Sequence, residues 1–222
     1  MPNGAAPNSR GRHAALSVAA ALLALVGATR LAGAQAPDHY VLALSWSPTY
    51  CETADPRRDR LQCDPEADRG FIVHGLWPNR GEDAPAFCPS RAADPSDALV
   101  ASMLDIMPSR GLVRHQWEKH GTCSGLDADA YFRTVRAAFD SVRIPGGLAA
   151  PTDDFDVQPG VLREAFRRAN PGLSDEAITV SCPSRQLREV RICLDTDLSF
   201  RECPAVARRR CRTRLIEVPA PE

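Results

Sequence analysis

The sequence predicts an α+β fold: a single domain in which a mainly antiparallel β-sheet packs against several helices and is stabilised by disulfide bonds. Short apolar segments with alternating side chains are typical of strands, and longer segments with apolar residues at helical spacing are typical of amphipathic helices. The two kinds of segment intermix without the regular strand–helix alternation of a parallel sheet. The chain also contains eight cysteines.

The N-terminal segment has the features of a secretory signal peptide. A basic start precedes an uncharged apolar run over residues 14–28, and small residues follow at the spacing of a cleavage site. Cleavage after Ala34 is favoured over cleavage after Ala36, because the latter would leave Pro37 at the new N-terminus. The apolar run is too short for a membrane span. We therefore predict a signal peptide over residues 1–34 and a protein that is secreted or periplasmic.

The mature chain is acidic. Removal of 34 of the 222 residues leaves 188, which suits one domain with a sizeable core. The removed segment contains three arginines and no acidic residue, so 24 basic and 28 acidic residues remain, a net charge of −4. This charge disfavours a general polyanion binder, and any action on nucleic acid requires a local site.

All eight cysteines lie in the mature chain, at positions 51, 63, 88, 123, 182, 193, 203 and 211. An even number in an exported protein predicts four disulfide bonds, and the count alone allows 105 pairings. No two cysteines have the CxxC spacing of a zinc ribbon or a redox motif.

Five segments have strand character. In the first, Tyr40, Leu42 and Leu44 alternate with smaller residues, and Pro48 ends the segment. The second, GFIVHGLWP, is apolar and also ends at a proline. The five predicted strands cover residues 38–48, 70–78, 177–182, 186–194 and 214–218.

Four segments have helical character. In the longest, Tyr131, Phe132 and Val135 recur at helical spacing, and an aspartate at its start provides a cap. Another is short and stops at Gly121, a residue type common at helix ends. The predicted helices cover residues 95–107, 112–121, 127–142 and 159–169, and a long surface loop is predicted over residues 79–96.

The stretch HQWEKHGTC, residues 115–123, concentrates polar side chains on the short predicted helix. His115 and His120 are five residues apart, about 140° around an ideal helix, whereas a zinc-binding helix places histidines four apart. A solvated helix face is the other interpretation. Trp117 requires burial, however, and Cys123 would fix the helix exit, so the polar groups should be held in place as catalysis requires.

The stretch FIVHGLWPN contains a second candidate histidine. His74 follows three apolar residues of the predicted strand, and Gly75 permits close backbone approach. Trp77 offers a flat surface for stacking, and the amide of Asn79 suits a base edge. Taken singly, His74 and Trp77 are better interpreted as core residues.

Together, HGLWPN and HQWEKHGTC resemble the two active-site segments of the ribonuclease T2 family of transferase-type endoribonucleases. The second segment of the family usually reads His-Glu-Trp-x-Lys-His-Gly-Thr-Cys, and this chain fits eight of the nine positions. The stretch LALSWSPTYC also resembles the family's first strand. The resemblance is strongest over residues 40–123 and implies a ribonuclease T2-like catalytic domain over residues 35–222.

The resemblance implies a role for each motif residue. His120 is the general base that takes the proton of the ribose 2′-hydroxyl, and His74 is the general acid that protonates the leaving 5′-oxygen. Lys119 stabilises charge in the transition state, and His115 holds the phosphate. Trp77 and Asn79 help to bind a base.

These roles agree with elementary chemistry. Two imidazoles titrate near neutral pH, so one can hold a proton while the other accepts one. RNA supplies its own nucleophile, which DNA lacks. The predicted activity is metal-independent cleavage of single-stranded RNA to 2′,3′-cyclic phosphate ends and then 3′-phosphates, by a monomer without a cofactor.

The chain departs from the family pattern at Gln116, where glutamate is usual. A carboxylate one turn from His120 would raise the pKa of that histidine. We therefore expect Gln116 to serve as an auxiliary catalytic residue and His120 to titrate lower than in relatives. Glu118 points elsewhere on a regular helix and is interpreted as solvated.

The resemblance also implies the disulfide pairing, which is Cys88–Cys123, Cys182–Cys211, Cys193–Cys203 and Cys51–Cys63. A basic run, ARRRCRTR at residues 207–214, is either a patch that follows RNA or the exposed side of a terminal strand.

Two other functions compete with an exported endoribonuclease. One is an RNA-binding module that cuts poorly because of Gln116. The other is a zinc hydrolase built on His74, His115 and His120.

Overall fold

A computed structural model describes residues 36–55, 57, 59–149 and 151–221. The predicted signal peptide over residues 1–34 lies outside the described residues. The strands are β1 His39–Trp46, β2 Phe71–Asn79, β3 Phe155–Val157, β4 Ile178–Ser181, β5 Glu189–Asp195 and β6 Ile216–Val218. The α-helices are α1 Ser47–Cys51, α2 Asp97–Ser102, α3 Arg110–Lys119, α4 Ala128–Asp140, α5 Gly146–Ala149, α6 Pro159–Ala169 and α7 Pro204–Ala207.

The main sheet is antiparallel and has four strands in the order β2-β1-β5-β4. A second, two-stranded antiparallel sheet pairs β3 with β6. Helices and strands intermix along the chain without regular alternation. The predicted α+β architecture with a mainly antiparallel sheet is therefore confirmed.

Strand β1 gives the main sheet two different faces. Its large residues Leu42, Leu44 and Trp46 are fully buried in the main hydrophobic core, together with Tyr131 and Phe132 of α4. Its other face carries smaller side chains, since side chains alternate along a strand. The sheet is thus covered by helices on the large-residue face, and the small-residue face leaves room for polar groups.

Several boundaries differ from the predicted ones. Strand β2 continues through Pro78 to Asn79, because β2 is at the edge of the sheet, where the missing N–H of a proline interrupts no ladder bond. The helix predicted over residues 95–107 ends at Ser102. Strand β3 was not predicted: it has only three residues, and none of them is fully buried.

Four disulfide bonds join Cys51 to Cys63, Cys88 to Cys123, Cys182 to Cys211, and Cys193 to Cys203. These are the four pairs that the family resemblance implies. The bond between Cys88 and Cys123 ties the loop after β2 to the segment that follows α3.

The basic run over residues 207–214 lies between α7 and β6 and does not form part of a terminal strand. Arg208 forms an ion pair with Glu82, and Arg210 forms one with Asp175. Two arginines of the run are therefore paired with carboxylates from two separate segments of the chain. No helix in the described part of the chain is long and apolar enough to cross a membrane.

Candidate active site

His74 occupies a β-bulge in strand β2. In the pairing of β1 with β2, Ala43 lies opposite Gly75 and Leu44 opposite Val73, so His74 is the extra residue. A regular strand would place His74 on the face opposite that of Gly75. The bulge redirects the imidazole to the small-residue face of β1, where it meets a partner from β5.

That partner is Glu189. The Nδ1 atom of His74 lies 2.6 Å from Oε2 of Glu189, although β1 separates their strands. Glu189 pairs with Ser45 of β1, whose small side chain leaves the space above it open. The second carboxylate oxygen accepts a hydrogen bond from Nε of Arg191. Both oxygens of this buried carboxylate are thus used.

The surroundings keep Glu189 ionised. Burial by itself would raise the pKa of this carboxyl, but the hydrogen bond from His74 and the charge of Arg191 outweigh burial and lower the pKa. The sequence indicated only that residues 186–194 form a strand. The contact between Glu189 and His74 joins residues 115 positions apart, and no local pattern reports it.

The second histidine, His120, lies where α3 ends. Ser109 caps the start of the helix by accepting a hydrogen bond from the backbone N–H of Leu112. The helix ends at Lys119, and His120 departs from helical geometry with φ −120° and ψ −42°. Gly121 follows because a Cβ there would lie 2.3 Å from the Trp117 ring. The predicted end at Gly121 therefore lies two residues beyond the observed end.

His120 is almost completely buried, with 7% of its surface exposed. Its Nδ1 atom has no hydrogen-bond partner among the described residues. Burial, and after it the positive charges of Lys119, His74 and His115, together lower the pKa of His120 to about 3. The largest cause of this low pKa is burial. That His120 titrates lower than in relatives because of Gln116 stays a prediction.

Trp77 connects the two histidines. Its ring stacks on His120, with 5.4 Å between centroids and 28° between planes. It meets the His74 ring edge-on, also at 5.4 Å. The guanidinium of Arg191 lies 4.9 Å from the centroid of the indole, a cation–π distance. Trp77 therefore holds both imidazoles and the charged pair of β5 in one cluster.

Gln116 acts on this cluster through Trp77. The indole Nε1 donates a hydrogen bond to Oε1 of Gln116 at 3.1 Å, and Gln116 is 1% exposed. A Cβ on Gly75 would lie 1.9 Å from that oxygen, so only glycine fits beneath the bond. The side-chain oxygen of Gln116, which we expected to be an auxiliary catalytic residue, is thus held by the indole.

Two further motif residues lie on α3, Lys119 at its last position and His115 four residues earlier. Lys119 is partly exposed and His115 is exposed. The loop residue Phe87 reaches this end: its backbone N–H donates to the carbonyl of Lys119 at 2.8 Å, and its ring lies 6.2 Å from that of His115. The sequence did not single out Phe87, which is itself exposed. Glu118 is exposed, in line with its interpretation as a solvated residue.

Trp77 and Asn79 line one cavity of about 250 Å³ on the small-residue face. The amide nitrogen of Asn79 donates to the backbone carbonyl of Trp77 at 2.8 Å, so this donor is already engaged. Three arginines, Arg191, Arg201 and Arg209, and two glutamates, Glu82 and Glu202, also line the cavity. The cavity therefore combines the ring surface of Trp77 with charges of both signs.

The donors of the site do not form a metal-ligand set. Within residues 36–55, 57, 59–149 and 151–221, no group of three or more His, Cys, Asp or Glu side chains is placed to hold a metal ion. In particular, His74 is engaged with Glu189, while His120 is buried against Trp77. The arrangement instead offers one buried imidazole that favours its neutral form and one imidazole bound to a carboxylate.

Comparison with known proteins shows which family the chain resembles. A model described as the Ribonuclease T2 family matches residues 37–203. A ribonuclease from Aeromonas hydrophila is 36% identical over 164 residues, which is 72% of this chain and 73% of that protein. A probable ribonuclease from Haemophilus influenzae is 35% identical over 183 residues, which is 77% of this chain but 62% of that protein.

Solved structures share the fold. An RNase-related protein from Calystegia sepium has a TM-score of 0.67 at 24% identity, and the match covers 85% of this chain and all of that one. RNase NT in complex with 5′-AMP has a TM-score of 0.64 at 25% identity, covering 84% of this chain and all of that one. Both motif segments of the site lie inside the matched residues 37–203. The chain therefore belongs to the ribonuclease T2 family of endoribonucleases.

Proposed function

We propose that this protein cleaves single-stranded RNA by transphosphorylation without a metal ion, using His120 as general base and His74 as general acid. The observation that carries the proposal is the contrast between the two imidazoles. His120 is buried with a lowered pKa, whereas His74 is bound to a carboxylate. Two titratable groups held in opposite environments are a typical basis for assigning acid and base roles.

In the first step, His120 takes the proton of the ribose 2′-hydroxyl and the 2′-oxygen attacks the adjacent phosphorus. The bond from phosphorus to the 5′-oxygen breaks, and His74 protonates that oxygen. The products are a 2′,3′-cyclic phosphate and a free 5′-hydroxyl. The nucleophile belongs to the substrate, which restricts the reaction to RNA.

In the second step, the roles reverse. His74, now neutral, takes a proton from water, and the water oxygen attacks the cyclic phosphate. His120 returns its proton to the 2′-oxygen as that bond breaks. The end product is a 3′-phosphate, and both histidines regain their starting protonation states.

The other motif residues serve the phosphate and the base. Lys119, partly exposed beside His120, offsets the negative charge that develops on the phosphoryl oxygens. His115, exposed on the same helix, binds the phosphate. Trp77 and Asn79 line the cavity of about 250 Å³ and contact a base there. Gln116 assists by holding the indole of Trp77, which packs against His120.

The proposal includes export. The N-terminal sequence predicts a signal peptide over residues 1–34, and four disulfide bonds suit an oxidising compartment such as the periplasm or the medium. The mature protein, residues 35–222, acts as a monomer in this proposal.

The test is cleavage of single-stranded RNA by the oxidised mature protein in excess EDTA, from about pH 4 to about pH 8, with each histidine replaced in turn. Cyclic phosphate ends should form in the presence of chelator. His74→Ala and His120→Ala should each lower the rate by about 10²–10⁴-fold.

Two results would contradict the proposal. Loss of cleavage on adding EDTA, with recovery on adding Zn²⁺, would point to a zinc hydrolase. Binding of RNA without cleavage by a folded, disulfide-bonded sample would point to an RNA-binding module.

A further inference from the structure

Glu189 lies outside both motif segments, yet it makes the shortest contact to a proposed catalytic side chain. Its Oε2 lies 2.6 Å from Nδ1 of His74, and its side chain is 6% exposed. The second oxygen, Oε1, accepts from Nε of Arg191. The carboxylate is therefore fixed at both oxygens and has little freedom to leave the histidine.

An ionised carboxylate accepts hydrogen bonds and has none to donate. The proton between Glu189 and His74 must accordingly reside on Nδ1 of the imidazole. The exchangeable proton of His74 is then the one on Nε2, the other ring nitrogen. A free histidine side chain has no such constraint and populates both tautomers.

Small residues on β1 and the bulge in β2 make this contact possible. Glu189 and Arg191 lie opposite Ser45 and Ala43, the small residues of β1, so their side chains can reach across that strand. The bulge at His74 brings the imidazole to the same face. Arg191 also lies over the ring of Trp77, which links the charged pair to the rest of the site.

We propose that Glu189, held by Arg191, is a positioning residue that fixes the tautomer and orientation of His74 so that Nε2 delivers the proton to the leaving 5′-oxygen. This inference rests on the proposed function and adds to it a residue of strand β5. Glu189 touches neither the substrate nor the reacting atoms. It acts through His74 alone.

The proposal predicts a dependence on the leaving group. A ribose 5′-oxygen is a poor leaving group and needs protonation, whereas 4-nitrophenolate departs without it. Glu189→Gln should lower kcat on a dinucleotide by about 10–100-fold, with KM little changed. This loss is part of the rate enhancement that a general acid contributes. On the 4-nitrophenyl ester of uridine 3′-phosphate, kcat of the same variant should fall by less than about threefold.

Two controls separate this role from a general structural one. Glu66→Gln makes the same chemical change at an exposed position outside the site and should leave both substrates unaffected. In a His74→Ala background, Glu189→Gln should produce no further loss on the dinucleotide, because its effect passes through His74.

A measurement on the unaltered protein keeps the inference testable if Glu189→Gln does not fold. Long-range ¹H–¹⁵N spectra of the histidine rings, with His74 assigned from its variant, should show the neutral ring protonated at Nδ1. A neutral ring protonated at Nε2 would overturn the inference.

The outcomes are distinguishable from failure of the proposed function. If the unaltered protein cleaves neither substrate, the proposed ribonuclease mechanism fails. If it cleaves both and Glu189→Gln slows both equally, or slows neither, the positioning role is overturned while the mechanism stands. Selective loss on the dinucleotide supports the positioning role.

Discussion

His120 should make the stability of the protein depend on pH in a predictable way. Its pKa is 6.5 in the unfolded reference and falls to about 3 in the folded protein, first because of burial. The folded state thus requires the neutral imidazole. Above pH 6.5 the imidazole is neutral in both the folded and the unfolded protein, and stability is fully present. As the pH falls toward 3, only the unfolded protein binds the proton, so stability is lost. Near pH 3 the folded protein also takes up the proton and the loss levels off.

The magnitude follows from the linkage between proton binding and folding. Each pH unit between the two pKa values costs about 1.4 kcal/mol, so unfolding should become about 2 kcal/mol easier between pH 7.5 and pH 5.0. At pH 5.0 the folded protein already holds His120 almost entirely neutral if its pKa is below 4. The size of the free-energy change is therefore set by the pKa in the unfolded protein. A small domain has only about 5–15 kcal/mol of total stability, so the effect is measurable.

The assay is urea unfolding of the disulfide-bonded mature protein at pH 7.5 and pH 5.0, compared with His120→Gln. The variant lacks the titrating group. Between the two pH values its free energy of unfolding should therefore fall by about 2 kcal/mol less than that of the unaltered protein. His115→Gln, which replaces an exposed histidine of the same segment, should keep the behaviour of the unaltered protein. A difference below about 0.5 kcal/mol between the unaltered protein and His120→Gln would refute the reasoning.

Three more predictions follow from the same contacts. Gln116→Glu places a carboxylate one turn from His120 and should move the acid limb of kcat/KM from near pH 3 upward by about 1–3 pH units. Gly75→Ala puts a Cβ 1.9 Å from Oε1 of Gln116 and should lower kcat/KM by about 100-fold. Replacing Cys88 and Cys123 by serine opens a loop with a sequence separation of 35 and should lower the free energy of unfolding by about 3–4 kcal/mol.

Each of the three has a matched control. Glu118→Gln removes an exposed carboxylate from the same helix and should leave the acid limb in place. Gly147→Ala adds a methyl group that meets no other part of the described structure within 4 Å, so full activity is expected. An equal loss in this variant would exclude a steric cause at Gly75. Serine at Cys193 and Cys203 opens a separation of only 10 and should cost less than opening the larger loop.

Local patterns predicted much of the architecture because they report which side of an element is buried. The alternation of large and small residues in β1 predicted a strand, and the same alternation creates the two faces of the sheet. The helical spacing of Tyr131, Phe132 and Val135 predicted the buried face of α4. Element ends were less predictable: Pro78 stays within β2 because β2 is an edge strand, a fact that depends on the neighbours of the strand.

The sequence by itself determined the family, the two motif segments and the residues from which the acid and base could come, because these are properties of residue type and order. Only the tertiary structure decided how those residues differ. A one-residue bulge put His74 on the face of Glu189, 115 positions away, and packing beneath Trp77 buried His120. Protonation depends on dielectric and on charges close in space, and neither is encoded in the spacing of residues along the chain.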